Sequence, residues 1–474
     1  MPDLNYNLHI IGRRKGMTER LKEPYFVKDK AFFKSLFRIM LTVALQNFLN
    51  YSVNMADNMM LGSYGQSELS GVACVSQIFF ILNSLFGNLG ASFSVLAAQY
   101  WGQKRTDKIN GLGAILLKVD LCIGLIFFLL ATFIPGQLVS IFTSDAVIAQ
   151  KGVEYLAILK WTFIPYSISY MLMDMLRNVE TVAIAFYMSI ISLVINVFFN
   201  YLFIFGSWGL PEMGVSGAAL ATLIARCAEV AVLVFYVAAI DKKLHFFRSG
   251  ILKWDKALGA SFAKMALTVV PAGMGWAIAT PVQTALIGQL SADAIAANSV
   301  TSTFYQLFKV IAQAMSSASA VIIGKTVGAR DFVKARSGAR TVELLALGIG
   351  IILGAMLFAV RGPVLAFYKL TPEAEKLTGQ MLLIMCFVMV GMAYEVPVLF
   401  GVIRAGGDAK FTSFVNIGAM WLIVMPLAFL AVFVWHLDVI WVVMIIQSEQ
   451  LIKCIPAFIR VRQYDKWIRV VTDK

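Results

Sequence analysis

The stretch NYSVNMADNMMLG, Asn50 to Gly62, puts a carboxylate, Asp57, near the outer end of the first long apolar segment. A charged side chain inside a membrane span costs at least ~2.5–3.5 kcal/mol on insertion scales, so such a residue marks a functional position by default. The stretch returns in altered form. Gly62, which closes ADNMMLG, is answered 226 residues later by Gly288, which closes PVQTALIG. Gln99-Tyr-Trp-Gly102 is answered by Lys325-Thr-Val-Gly328 at the same offset. Leu176-Arg177 and Arg226-Cys227 are answered by Ile403-Arg404 and Lys453-Cys454 at an offset of 227. Four anchors within one residue of a common offset define an internal repeat.

The repeat lies in an apolar chain. Of 474 residues, 59% are hydrophobic and 14% charged, against about 25% charged in soluble chains. The composition is that of an integral membrane protein with many spans. The net charge of +13 does not point to nucleic acid, because the basic residues sit between apolar runs, where they set membrane orientation. Five cysteines stand singly within apolar segments and read as buried free thiols, neither a disulfide framework nor a zinc site. His9, His245 and His436 are scattered, which argues against a histidine metal centre. No cofactor is expected. The first ~35 residues show no short apolar run with a cleavage-type site, so no cleavable signal peptide is expected. Their segment KDKAFFKSLFRI reads as a positive flank; a helix lying on the membrane surface is the alternative.

Apolar runs of about 20 residues predict twelve spans, at 36–62, 71–99, 113–134, 153–177, 184–206, 216–240, 260–288, 295–325, 341–360, 377–404, 411–434 and 439–462. With the N-terminus inside, 32 of the 40 Lys and Arg fall in the tails and inner loops, and 5 in outer loops. That asymmetry predicts both termini in the cytoplasm and a multi-pass protein of the plasma (inner) membrane. The expected organisation is a basic tail (1–35), a six-span N-lobe (36–240), a linker (241–259), a six-span C-lobe (260–463) and a short tail (464–474). The fold class is thus all-α, with two six-helix lobes related by a parallel pseudo-twofold. Secondary transporters often duplicate in this way and bind substrate between the halves. No GxxxxGK[ST] loop is present, so an ion gradient is the expected energy source.

Polar residues inside the spans locate candidate sites. Asp57 lies about five residues, or roughly 8 Å, inside the end of span 1. Asn200 lies at a similar depth in span 5, Asn196 one turn below it on the same face, and Thr222 at that depth in span 6. A carboxylate with amide and hydroxyl oxygens can hold Na⁺, by analogy with other hard cations. It can equally take a proton, because an apolar surrounding disfavours the charged form. The structural alternatives are a solvated acid at the outer mouth and helix–helix hydrogen bonds between the amides. Asp57 overlays Gln283, so the C-lobe lacks that acid. Its own membrane carboxylate is Glu395, midway along span 10 and beside Pro397. Glu395 with Gln283 is a candidate second ion or substrate site, or Glu395 pairs with Lys309 or another base. Arg226 with Glu229, and Glu449 with Lys453, are spaced as internal ion pairs. Asp174, Arg177 and Glu180 read as a solvated hinge or gate.

The motifs ADNMMLG, NVFFNYLFIFG followed by MGVSGAALAT, and IRAGGDAKFT, in this order, resemble the multidrug and toxic compound extrusion (MATE) family over about residues 30–465. The resemblance implies export of cationic or amphipathic compounds in exchange for Na⁺ or H⁺ by rocking of two lobes. It places the family's acid on Asp57, its fifth-span polar pair on Asn196 and Asn200, and its sixth-span hydroxyl on Thr222. The chain departs from some members in carrying Asn200 where they have an acid, and Ala279 where one branch has a glutamate. The expected partners are small molecules and the bilayer; a monomer suffices. A lipid-linked precursor flippase of the same superfamily is the runner-up. A membrane-embedded enzyme or a non-transporting sensor is the reading from another class.

Overall fold

The computed structural model describes residues 25–248, 255–368 and 370–472. His9, the first part of the basic tail, part of the inter-lobe linker and Lys369 lie outside these residues. Twelve helices are long and apolar enough to cross a bilayer. In chain order, α1–α6 are Lys30–Tyr64, Gln66–Gly102, Thr106–Phe133, Ala146–Asn178, Ala183–Ile204 and Val215–Ile240. The second set, α7–α12, are Lys256–Gly288, Ala292–Gly328, Phe332–Leu365, Pro372–Ile403, Ala409–Phe433 and Val439–Arg462.

Local chemistry sets the helix starts. Asp29, Asp145, Asp255, Ser291, Asp331 and Thr371 each accept a backbone N–H from the first turn of α1, α4, α7, α8, α9 and α10, satisfying donors that have no partner within the helix. Helix α1 therefore begins at Lys30, six residues before its apolar run. The segment KDKAFFKSLFRI is not a helix lying on a membrane surface: from Lys30 on it forms the first turns of α1, with Phe32, Leu36 and Ile39 buried in one cluster with C-lobe residues such as Val398 and Ile403. Helix α4 also starts earlier than its apolar run, is interrupted by a 3₁₀ turn at Lys160–Thr162, and follows a short helix at Pro135–Ser140. In α10, Pro397 opens a π-type turn, Pro397–Ile403, where its missing N–H breaks the regular ladder.

The lobes meet with the reciprocity that a twofold demands. Helix α1 packs on α8, its repeat-related pair α7 packs on α2, and α2 crosses α8 between them. At that crossing Gly102 and Gly328, one repeat apart, replace side chains by backbone. A Cβ on Gly102 would fall 1.9 Å from the Lys325 carbonyl oxygen, and one on Gly328 would fall 2.0 Å from that of Gln99. The helix caps obey the same symmetry. Asp29 pairs with Lys334 at 2.8 Å and Asp255 with Lys108 at 3.1 Å; both acids and both lysines are 226 residues apart. Each pair ties the first helix of one lobe to the third of the other. The lysine and the helix-capping N–H groups hold both aspartates below the usual carboxylate range. At Asp29 the Lys334 bond is the larger cause; at Asp255 the backbone N–H of Leu258 comes first.

The chain end closes this same end of the bundle. Trp467 is fully buried against Gly406. The extended run after it reaches the N-lobe: Gln99 donates to the Arg469 carbonyl at 3.0 Å and accepts from the Val471 N–H at 2.8 Å, and Gln103 donates to Thr472 at 2.7 Å. Lys325 pairs with Glu180 across the lobes. Burial alone would raise the Glu180 carboxyl, but hydrogen bonds from Lys325 and Trp101 outweigh it and hold the group low. Among the described residues, the inter-lobe hydrogen bond farthest from this end is Tyr51 to Gln306, at mid-depth. This end carries the basic connectors and is the basic end of the bundle.

Candidate functional site

Two polar sites lie inside the bundle. The first belongs to the N-lobe. Helices α1 and α5 pack together, as do α5 and α6, and this brings Asp57, Asn196, Asn200 and Thr222 into one cluster. The Asn200 amide donates to Asp57 Oδ1 and to Asn196 Oδ1 at 3.0 Å. The Asn196 amide donates to Thr222 Oγ1 at 3.4 Å, whose hydroxyl is bonded to the Ala218 carbonyl at 2.9 Å. Asn196 and Asn200 are buried, and Asn200 Oδ1 is a buried acceptor without a protein partner. The α5–α6 loop fixes the approach of α6 to α1: Gly214, at φ 53°, packs its missing side chain against the Tyr64 ring, 2.8 Å from where a Cβ would sit.

Chemically the cluster is one carboxylate with three neutral oxygens, one of them unsatisfied. Such a set suits a small hard cation or a proton on Asp57. Around it stand groups that spacing did not place there. Arg226 pairs with Glu229 at 2.7 Å, as expected, and also lies over the Tyr166 ring at 5.0 Å. The Tyr166 hydroxyl donates to Asn83 at 2.8 Å. No sequence signal marks Tyr166 or Asn83, because tyrosine and asparagine in an apolar helix have no diagnostic spacing.

The second site is a cavity of about 430 Å³ between the lobes, continued toward the basic end by a smaller one of about 180 Å³. The N-lobe wall offers Ser84, Asn88 and Tyr170; the C-lobe wall offers Trp276, Lys309, Glu395, Arg404 and Lys453. Glu395 does not pair with Lys309. Its partner is Lys453, at 3.3 Å, which also holds Glu449 at 2.7 Å, all three being nearly inaccessible. The Glu449–Lys453 pair expected from spacing is thus one arm of a triad. Gln283 is not with Glu395: its amide contacts the Met420 sulfur at 3.2 Å, and it does not line the cavity with Glu395. The two do not form one site. Asp174 is not solvated; it is buried, at 4% exposure, and paired with Arg177 at 3.1 Å. Glu180, the third residue of that group, lies in the α4–α5 connector, mostly covered and paired with Lys325 of the other lobe. The cysteines are free, but Cys122 and Cys227 face outward, because one face of each helix in this bundle has no protein neighbour.

The fold and these sites define a polytopic membrane protein with an ion-type cluster in one lobe and a drug-sized cavity between two lobes. Comparison with known proteins places it further. The MatE family model matches residues 43–202 and 278–430, one block in each lobe. A protein named "probable multidrug resistance protein NorM" from Halalkalibacterium halodurans is 24% identical over 427 residues, covering 87% of this chain and 88% of that one. A protein of the same name from Streptococcus pneumoniae is 23% identical, covering 87% and 89%. Among solved structures, the eukaryotic MATE transporter AtDTX14 superposes with a TM-score of 0.81 at 19% identity, over 94% of this chain and 98% of that one. The Vibrio cholerae MATE transporter VcmN, in its bent form, gives 0.80 at 16%, over 92% and 97%. The chain therefore belongs to the MatE family of multidrug and toxic compound extrusion transporters. It is a multi-pass protein of the cell membrane.

Proposed function

We propose that the protein is a cation-coupled antiporter, which exports amphipathic small molecules from the inter-lobe cavity as Na⁺ or H⁺ enters through the Asp57 cluster. The observation that carries this reading is the convergence of Asp57, Asn196, Asn200 and Thr222 from three helices of one lobe. The cation is cargo, held by Asp57 with the unsatisfied Asn200 oxygen as the obvious further ligand. The basic end is the cytoplasmic side on the positive-inside rule. The closed crossing of α2 on α8 then corresponds to an outward-facing state. The second state would break the Gly102–Gly328 crossing and the clasp of the chain end. A cationic cargo, which the family resemblance implies, would meet Glu395 and Asp174 in the cavity.

Each ligand can shift the two states only through a difference in affinity between them. The test is efflux from liposomes containing purified protein, with cationic and acidic fluorescent dyes in separate arms and Na⁺ and pH gradients imposed separately. Movement under one gradient, lost in Asp57→Asn at equal folding, is the expected result and names the ion. Full activity in Asp57→Asn sinks the reading. No movement under either gradient redirects attention to lipid-linked precursors, although a cavity of about 430 Å³ is in the range of drug-sized ligands.

A further inference from the structure

Arg226 has two carboxylates within electrostatic reach. Glu229 is in contact, 2.7 Å from the guanidinium. Asp57 comes from α1, and its charge acts on Arg226 from a greater distance. Among the described residues, Arg226 is the base whose charge acts on Asp57. The arrangement follows from the spacing along α6. Thr222, a member of the Asp57 cluster, is four residues before Arg226, and Glu229 is three after it. The three descend one face of the helix in successive turns. Arg226 is thus stationed between the cluster on one side and Glu229 on the other, nearer the basic end.

The surroundings leave the guanidinium free to choose. The Glu229 side chain is 3% exposed and that of Arg226 24%, so the acid is fixed and the base is the partner with room to move. The Tyr166 ring lies 5.0 Å from the guanidinium, and a ring face attracts a cation without cancelling its charge. That ring is held in place: its hydroxyl donates to Asn83 at 2.8 Å, and it packs on Phe79 and Phe86 at 4.9 and 5.8 Å. Tyr155 of α4 also faces the site, bonded to Thr222 and within reach of Asp57 and Arg226. Helix α5 contributes the neutral amides of Asn196 and Asn200. The repeat shows what a base at this position does. The counterpart of Arg226, 227 residues on, is Lys453, which bridges two buried acids, Glu395 at 3.3 Å and Glu449 at 2.7 Å. In the N-lobe the base touches one acid, and the other is bonded by the Asn200 amide.

We propose that Arg226 is the internal counter-ion of the Asp57 site: it stays with Glu229 while a cation occupies Asp57, and shifts toward Asp57 when the cation leaves. This rests on the reading of Asp57 as the coupling site and adds the step that empties it. A carboxylate stripped of its cation inside the bundle is costly unless a positive charge replaces the one lost. The guanidinium is that charge. It competes with the cation for Asp57, and so keeps cation binding weak enough for release. Arg226 acts through Asp57 and is a positioning residue.

The test reads the cation midpoint of dye affinity in the full-length protein in nanodiscs, titrated with Na⁺ at fixed pH and with pH at zero Na⁺. Arg226→Gln removes the competitor, so the midpoint should move about fivefold or more toward tighter cation binding, to lower Na⁺ or, for a proton, to higher pH. Glu229→Gln releases the guanidinium toward Asp57, so the midpoint should move about threefold or more the opposite way. Arg226→Lys keeps the charge and should stay within about twofold of the wild type. A purely structural ion pair loses the same contact whichever member is changed, and would shift both Gln variants alike. Shifts of the same sign, no shift in either, or Arg226→Lys behaving as Arg226→Gln would overturn the proposal. If Arg226→Gln does not fold, Glu229→Gln decides: a midpoint unmoved or tightened overturns it. The two readings fail separately. A cation dependence that needs Asp57 but ignores Arg226 and Glu229 removes the counter-ion and leaves the coupling site. A wild type indifferent to both cations removes the coupling site, and the counter-ion with it.

Discussion

The two lobes share a fold and nearly share a sequence register, yet they carry different chemistry. Where they touch, they are alike. Gly102 and Gly328 reciprocate across the crossing of α2 and α8, and Asp29–Lys334 mirrors Asp255–Lys108. Where they face inward, they diverge. Asp57 of the N-lobe overlays Gln283 of the C-lobe, and Thr222 overlays Glu449. Arg177 with its acid overlays Arg404 without one. Duplication supplies a hinge, which needs two equal halves. The proposed function requires the halves to differ, one to hold the coupling cation and the other to shape the cavity.

Substitution at the overlaid pair Asp57 and Gln283 tests that division directly. Asp57→Asn should lower gradient-driven transport by about a hundredfold or more, because the charge that binds the cation is gone while the amide is of equal size. Gln283→Ala, at the matching C-lobe position, should leave transport within about twofold, since the Gln283 amide donates to a methionine sulfur and loses a weak bond on truncation. Equal losses at the two positions would break the comparison.

Next in size is Lys453→Met. It strands two buried carboxylates, Glu395 and Glu449, and should cost about 3–5 kcal/mol of stability, read as a large drop in the thermal midpoint in detergent. Arg177→Met should cost less, because Arg177 is 27% exposed and leaves one acid rather than two. Smaller still are Gly102→Val and Gly328→Val. Each forces a side chain against a partner carbonyl and should cost about 1–3 kcal/mol, as overpacking does. The two should match each other and raise the labelling of cysteines placed at the basic end. Unequal effects would show that the crossing is not a true twofold contact.

The Glu180–Lys325 pair should respond least. Glu180 is held low in the folded protein, so its pairing with Lys325 contributes stability above the ordinary 4.5 of a glutamate and loses it as pH falls through the lowered folded value. With Lys325 45% exposed, the pair contributes only ~0.2–1 kcal/mol after solvent screening. Closure of the basic end, read by the same labelling, should be flat through neutral pH and loosen only in acid. Glu180→Gln should loosen it slightly at every pH.

Most of this architecture was legible from residue order. Hydropathy located twelve spans because lipid imposes a minimum apolar length, and the repeat followed from four pairs of matching residues. Depth counting placed Asp57, Asn196, Asn200 and Thr222 at one level, and the structure brings them together. Other features were hidden for definable reasons. Hydropathy starts the first span at 36, after Lys34, but α1 reaches back to Lys30 because Asp29 caps it and Phe32 packs on the other lobe. Asp174 read as solvated because its position near a helix end resembles a surface; its burial comes from the partner helix, which a single strand of sequence does not reveal. Pairing among Glu395, Lys309, Lys453 and Glu449 depends on which helices are neighbours, and spacing found only the pair within one helix. The clasp at Arg469–Thr472 carries no motif at all, because it is made largely through backbone groups.

The proposed mechanism stands or falls on competition, through a change of state, between one cation at Asp57 and one cargo in the cavity. Linkage makes this measurable at equilibrium, since a cation that lowers cargo affinity must do so in proportion to its own preference between states. The decisive experiment follows dye affinity for the purified protein in nanodiscs, titrated with Na⁺ at fixed pH and with pH at zero Na⁺, in wild type and Asp57→Asn. One of the two cations should weaken dye binding in the wild type, and this dependence should vanish in Asp57→Asn with dye binding itself retained. The same cation dependence in both proteins would contradict a coupling site at Asp57.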